Sequence, residues 1–321
     1  MKVTRDMLHP DLQPLHGSLR VMTAMLKRRW FLRSFDRLNG ALSKGRGIEG
    51  LACETHHADS SDGRYRIRTR VYRPEGVNEQ LPALIYLHGG GYLFGFPEMF
   101  HDVIERFIET RPCVVIAPDY RKAWTEPFPA GFDDCYATLL WAKANATSLG
   151  IRDDAVVVAG HSAGGGLTAA VTLKARDTGD VNVAFQMPIY PMIDDTQPDD
   201  PDRAIDSLIW NTELNRVGWG AYLAGLRRDG AEIPAYAAPA RNADYTNFPP
   251  TITLVGTLEP FHQETLAYVR ALRDAGVEVA FEEYENCFHA FDMLGTPVSE
   301  AALDFTFDSF ATFYDRSFGD R

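Results

Sequence analysis

Gly160-His161-Ser162-Ala163-Gly164 is the stretch that decides how this chain reads. An apolar run, residues 155–159, leads into it, and a small-residue stretch of helical character, residues 164–175, leads out. G-x-S-x-G between a strand and a helix is a nucleophile elbow. The glycines answer a steric need, because the turn closes only if the positions two before and two after the serine are almost free of side chain. Such a turn holds a hydroxyl above the end of a sheet. A helix N-terminus stands behind it, and its dipole favours negative charge there. A Gly-rich chain can produce the pentapeptide by chance; the flanking strand and helix separate the motif from a loop.

Upstream, His88-Gly89-Gly90-Gly91-Tyr92 follows the apolar run 83–87. Consecutive glycines let backbone N–H groups approach a substrate oxygen, the arrangement that stabilises an oxyanion in acyl transfer. Gly-rich loops also cradle phosphates, but neither a G-K-[ST] ending nor a G-x-G-x-x-G spacing is present. Downstream, Glu259 and His289 each lie just past an apolar run, 251–255 and 279–284. Ligands of open α/β sheets meet the carboxyl ends of the strands. Ser162, Glu259 and His289 therefore fall on one edge, as nucleophile, orienting acid and base. Nine histidines compete for the base. His161 is expected to point away from the reacting face, His262 to sit on the next helix, and His88 to brace the glycine loop. Asp194 and Asp195 rival Glu259, but they follow the strand at 184–189 rather than the penultimate one.

Short apolar runs at 83–87, 113–117, 155–159, 184–189, 251–255 and 279–284 alternate with helix-like stretches, of which 97–110 is the clearest. Continuous apolar strands separated by helices predict a parallel sheet covered on both faces. Before them, residues 51–57 and 65–73 flank a turn-rich cluster and read as an antiparallel edge hairpin. The alternation from Tyr65 to Tyr72 has the period of a half-exposed strand. About 60 residues separate the runs at 184–189 and 251–255. An insertion this long above an open sheet predicts a lid, and its acidic stretch 194–202 reads as a solvated loop. That stretch lacks the glycine and closing glutamate of a calcium loop.

The chain has 321 residues, 45% hydrophobic and 24% charged, with a formal net charge of −12. That balance argues against a nucleic-acid partner. Residues 1–50 run the other way, with ten Lys or Arg and four Asp or Glu. Leu19, Met22, Met25, Leu26 and Trp30 recur there at near-helical spacing. A basic amphipathic helix can lie on a membrane; without a lipidation motif, a lid helix is the preferred reading. The N-terminus lacks the apolar region of a signal peptide, and no stretch is long enough to span a bilayer. The four cysteines, Cys53, Cys113, Cys135 and Cys287, form no C-x-x-C pair. Reduced thiols in a cytoplasmic protein are expected.

Together these motifs resemble the hormone-sensitive lipase family of α/β hydrolases, the bacterial esterase branch also called family IV. The resemblance covers most of the chain from about residue 80 and extends to Asp119-Tyr120-Arg121, Pro127-Phe128-Pro129-Ala130, Asp133-Asp134-Cys135, Tyr190-Pro191-Met192-Ile193-Asp194, Trp219, Tyr222-Leu223, Phe248-Pro249-Pro250-Thr251 and His289-Ala290-Phe291. It implies an α/β-hydrolase fold with a mostly parallel eight-stranded sheet, helices on both faces and a helical cap. The implied division is 1–45 and 191–240 as cap, with 46–190 and 241–321 as core. It also implies Ser162 as nucleophile, His289 as base, and an oxyanion hole of the Gly90, Gly91 and Ala163 N–H groups. The family more often has Asp where Glu259 stands. Its usual Leu-Ala-Pro-Glu-His is replaced here by Lys122-Ala123-Trp124-Thr125-Glu126, which touches the wall near the glycine loop. His161 replaces a more frequent Asp.

The expected activity is that of a serine carboxylesterase acting on short-chain esters, with no metal or cofactor. Its partner is then a small-molecule ester, without nucleic acid or stable membrane insertion; a homodimer is compatible with the sequence. Tyr92, Phe94, Trp210 and Phe291 are candidates for the pocket wall. An amide, formamide or thioester on the same triad is the first alternative, and a non-catalytic small-molecule binder of the same fold the second.

Overall fold

A computed structural model describes residues 1–319. The last two residues of the expected 241–321 segment lie outside the described residues, as does the side chain of Ala155. Among the described residues eight strands run in chain order: β1 Leu51–Asp59, β2 Arg66–Pro74, β3 Leu81–Leu87, β4 Val114–Pro118, β5 Ile151–His161, β6 Val183–Ile189, β7 Thr251–Gly256 and β8 Val279–Tyr284. Among the described residues the α-helices are α1 His16–Leu26, α2 Arg29–Ser43, α3 His101–Thr110, α4 Ala130–Ala144, α5 Ala146–Leu149, α6 Ala163–Thr178, α7 Thr212–Tyr222, α8 Ala224–Arg228, α9 His262–Asp274 and α10 Pro297–Phe318. None is long and apolar enough to cross a membrane.

The strands form one sheet in the order β1-β2-β4-β3-β5-β6-β7-β8. β1 pairs antiparallel with β2, and β2 with β4; every later pairing is parallel. The alternation of side chains explains why both faces are covered. Leu84, Tyr86, Val115, Ala117, Val157 and Ala159 enter one core, with Phe107 of α3 and Phe307 and Phe310 of α10. Ala83, Ile85, Val114, Ile116, Val156 and Val158 enter the other, with Leu139 of α4 and Leu167 and Val171 of α6. A strand buried on both sides has no polar face to show, hence its uninterrupted apolar run.

Register positions the site. Leu87 pairs with Gly160, His161 with Ile189, and Gly256 with Tyr284. The carboxyl ends of β3, β5, β6, β7 and β8 therefore finish along one edge, and the loops that follow them meet.

The N-terminal stretch departs from a single continuous helix. Arg28 is extended (φ −93°, ψ 110°) and divides it into α1 and α2. The apolar spacing is thereby broken: Leu19 is buried, but Met22, Met25 and Trp30 are exposed. The segment is tied to the long insertion through Ile209 N–H to Thr23 Oγ1 at 2.8 Å, Arg20 to Asp206 at 3.2 Å and Lys27 to Glu213 at 2.5 Å. Its first residues also reach the loops and helix that follow β8. His9 N–H donates to Asn286 O at 2.9 Å, and Val298 N–H to Asp11 Oδ2 at 3.0 Å.

The acidic stretch is solvated only in part: Asp199 and Asp202 are exposed. Asp195 and Gln197 are buried. Asp194 pairs with Arg203 at 2.6 Å, and Asp195 accepts from Arg241 at 2.7 Å. Arginines outside the run neutralise these carboxylates, which composition alone cannot reveal.

Candidate active site

Ser162 occupies the turn between β5 and α6 with φ 60° and ψ −119°, a strained conformation for a residue with a side chain. The turn closes because Gly164 lies against the end of β3; a Cβ there would collide with Leu87 O. Glu259 follows β7 by three residues, and its Oε1 accepts the Gly256 N–H at 3.0 Å. His289 follows β8. Its Nδ1 lies 2.5 Å from Glu259 Oε2 and its Nε2 lies 2.9 Å from Ser162 Oγ. An ionised carboxylate only accepts, so Nδ1 carries the proton and Nε2 is left to accept from the serine hydroxyl. All three residues are buried. The imidazole is held edgewise between two rings, Tyr190 at 4.8 Å and Phe261 at 4.9 Å.

The glycine loop after β3 faces Ser162. Gly91 has φ 59°, and a Cβ there would run into the Trp210 ring. The N–H groups of Gly90 and Gly91 have no protein acceptor among the described residues. Ala163 opens α6, where the first N–H groups lack intrahelical partners. His88 is fully buried, stacks on Tyr120 at 4.1 Å, and contacts Gly89 O at 2.7 Å through Nδ1. Its Nε2 lies 3.1 Å from Lys122 Nζ, so it accepts from the ammonium. Burial and that positive neighbour hold His88 neutral, with a pKa well below the usual histidine value. Lys122 and Ala123 thus back the loop, the latter donating to Tyr92 O at 2.9 Å.

A cavity of about 130 Å³ opens over Ser162. Phe94, Met99, Phe100, Ile209, Trp210 and Met293 form its apolar wall. Two expected wall residues lie elsewhere. Tyr92 is an anchor: its hydroxyl donates to Met192 O at 2.9 Å and its ring stacks on Tyr222 at 4.0 Å. Phe291 is core, packed at 5.1 Å from Tyr284. In both cases a left-handed or 3-10 turn beside the site rotates the ring inward, which adjacency in sequence does not disclose. His161, expected to point away, does bond Tyr86 at 2.9 Å, yet it also contributes to the wall. Burial, aided by His289, lowers its pKa to about 3, so it stays neutral.

Sequence reasoning missed Asp292, which is buried and accepts from the Tyr190 hydroxyl at 3.0 Å. Burial raises its pKa to about 6, against the opposing pull of that hydrogen bond and of His289. Its position three residues after His289 was the available signal. The rival acids are engaged elsewhere, Asp194 with Arg203 and Asp195 with Arg241. His262 pairs with Glu283 at 2.7 Å. Among the described residues no three His, Cys, Asp or Glu side chains gather as a metal site.

Residues 84–293 match a family described by the alpha/beta hydrolase fold. The chain belongs to that family. Carboxylesterase NlhH of Mycobacterium tuberculosis is 33% identical over 244 residues, covering 75% of this chain and 76% of that protein. A bacterial heroin esterase superposes with a TM-score of 0.85 at 29% identity, over 97% of this chain and 99% of its own. Brefeldin A esterase, described as a bacterial homologue of human hormone-sensitive lipase, shares the fold with a TM-score of 0.77 at 24% identity, over 96% and 93% of the two chains. This relative by sequence and these neighbours in structure are named as esterases.

Proposed function

We propose that this ester hydrolase is a serine carboxylesterase for short, uncharged esters, working through Ser162, His289 and Glu259. The observation that carries the reading is the unbroken, buried chain from Glu259 Oε2 to His289 Nδ1 at 2.5 Å and from His289 Nε2 to Ser162 Oγ at 2.9 Å. Ser162 Oγ attacks the ester carbonyl as His289 Nε2 takes its proton. The new alkoxide is stabilised by the N–H groups of Gly90, Gly91 and Ala163 and by the α6 dipole. Collapse expels the alcohol, which receives the proton from His289. Water then enters, loses a proton to the same nitrogen, and releases the acid. Glu259 fixes the tautomer and supports the imidazolium in both halves.

The small apolar cavity supports a short neutral acyl group, since a charged one would be desolvated there without a partner. Phe94 and Trp210 are its proposed substrate-binding residues. Residues 1–45 and 191–240 are read as two parts of a cap, joined by the Thr23, Arg20 and Lys27 contacts. We assign the protein to the cytoplasm, with its four thiols unbridged. The test is labelling with a fluorophosphonate probe. Wild-type protein should be labelled and Ser162→Ala should not; equal labelling of a folded Ser162→Ala variant refutes the assignment.

A further inference from the structure

A second cavity, of about 490 Å³, lies beside the catalytic one. Met99, Phe100 and Met293 line both. The partition is therefore one side chain thick. We propose that the outer cavity holds the far end of an unbranched aliphatic chain of the ester, and that Met99 and Met293 set the chain length the enzyme accepts. This rests on the carboxylesterase reading above and deepens it.

The two sides of the partition differ in chemistry. The outer cavity adds Val103, Leu303 and Phe307 to the apolar lining, together with the polar side chains of Asp102, Arg106, Asp292 and Glu300. Methylenes carried past the partition gain by burial against Met99, Val103, Leu303 and Phe307.

The partition is also unevenly fixed. Phe100 packs against Tyr86 at 5.8 Å and His88 at 6.2 Å, so it is held on the catalytic side. The two methionines are unbranched thioethers that re-form their contacts by rotation. Met293 is 43% exposed and ends the short turn after His289. A thin chain can pass where a methionine swings aside; an aromatic ring would have to displace Phe100. That is why the occupant is an aliphatic chain. It can come from the acyl or the alcohol half of the ester, and the experiment separates them.

Two ester series are measured as kcat/KM: p-nitrophenyl esters from acetate to decanoate, and acetates of ethanol to octanol. Met99→Ala/Met293→Ala removes the partition, and Met293→Phe, at an exposed position that tolerates volume, thickens it. The double variant should raise the long-to-short ratio by about fourfold for each methylene newly buried, and Met293→Phe should lower it. A shift confined to the first series places the acyl chain in the outer cavity; a shift confined to the second places the alcohol there. Ratios unchanged in both series for both variants, with unaltered melting temperatures, overturn the proposal. That failure is distinct from failure of the catalytic reading, which would show as undiminished hydrolysis by Ser162→Ala.

Discussion

Replacing Glu259 with Gln tests the least typical member of the triad, and the structure dictates what the amide must do. Oε1 of Glu259 accepts the Gly256 N–H at 3.0 Å, while Oε2 faces His289 Nδ1 at 2.5 Å. A glutamine has one acceptor and one donor end. Keeping the Gly256 bond turns the NH2 group onto His289 Nδ1. The imidazole then accepts at Nδ1 and carries its proton on Nε2, facing Ser162, where it cannot act as a base. Flipping the amide restores the tautomer but leaves the buried Gly256 N–H against a donor, at a cost of about 1–3 kcal/mol. That cost alone suppresses the competent form by about five- to 150-fold. The neutral amide also gives up the charge that supports the imidazolium. Together the loss in kcat should be about 10³–10⁴-fold, near that of other triad acids and equivalent to about 4–5.5 kcal/mol of barrier. Glu259→Asp keeps the charge but falls one methylene short, and should retain more activity than Glu259→Gln. The assay is kcat on a soluble short-chain ester, with thermal melts to establish folding. A Glu259→Gln variant within tenfold of wild type, beside a collapse of Asp292→Asn, Asp194→Asn or Asp195→Asn, would refute the assignment of the acid.

Ser162→Ala should lower kcat at least a thousandfold with the melt unchanged, since among the described residues the Ser162 hydroxyl is the one bonded to His289 Nε2; full activity in a clean preparation would remove the nucleophile. Gly91→Ala forces a Cβ into the Trp210 ring at φ 59° and so displaces the oxyanion loop. A loss of about 100-fold in kcat is expected, and Gly91→Ala/Trp210→Ala should recover part of it; a silent Gly91→Ala would show that the loop does not touch the transition state. Asp292 has a pKa of about 6 in the folded protein, against 3.8 for an ordinary aspartate. Its contribution to stability is therefore present below about pH 4 and is lost as pH rises through about 6, by at most ~3 kcal/mol. Asp292→Asn should gain on wild type between about pH 4 and pH 8 in urea melts; a difference independent of pH would contradict the burial of that carboxyl.

Much of the fold was written in local pattern. Strands buried inside the sheet are largely apolar, so β3 to β7 could be read directly. β8 was legible from its apolar start, although it lies at the sheet edge with Glu282 and Glu283 exposed, and the edge hairpin followed from its turn residues and alternation. The elbow was equally legible, because a turn that strains Ser162 leaves no room for a side chain at Gly160 or Gly164, and steric demands of that kind are met by neighbours in sequence. Ordering of the motifs along the chain was enough to select Ser162, Glu259 and His289 as candidates. What their spacing could not decide was where side chains point and which distant groups they meet. Tyr92 and Phe291 stand beside catalytic motifs yet turn into the core, while Met99 and Met293, far apart in the chain, share one wall. Arg203 and Arg241 neutralise part of an acidic run that reads as solvated, and Arg28 breaks an apolar spacing that reads as one helix. Sequence fixes which local conformations are cheap; only closure of the sheet determines which surfaces face each other, and burial, ion pairing and cavity shape are properties of those facing surfaces.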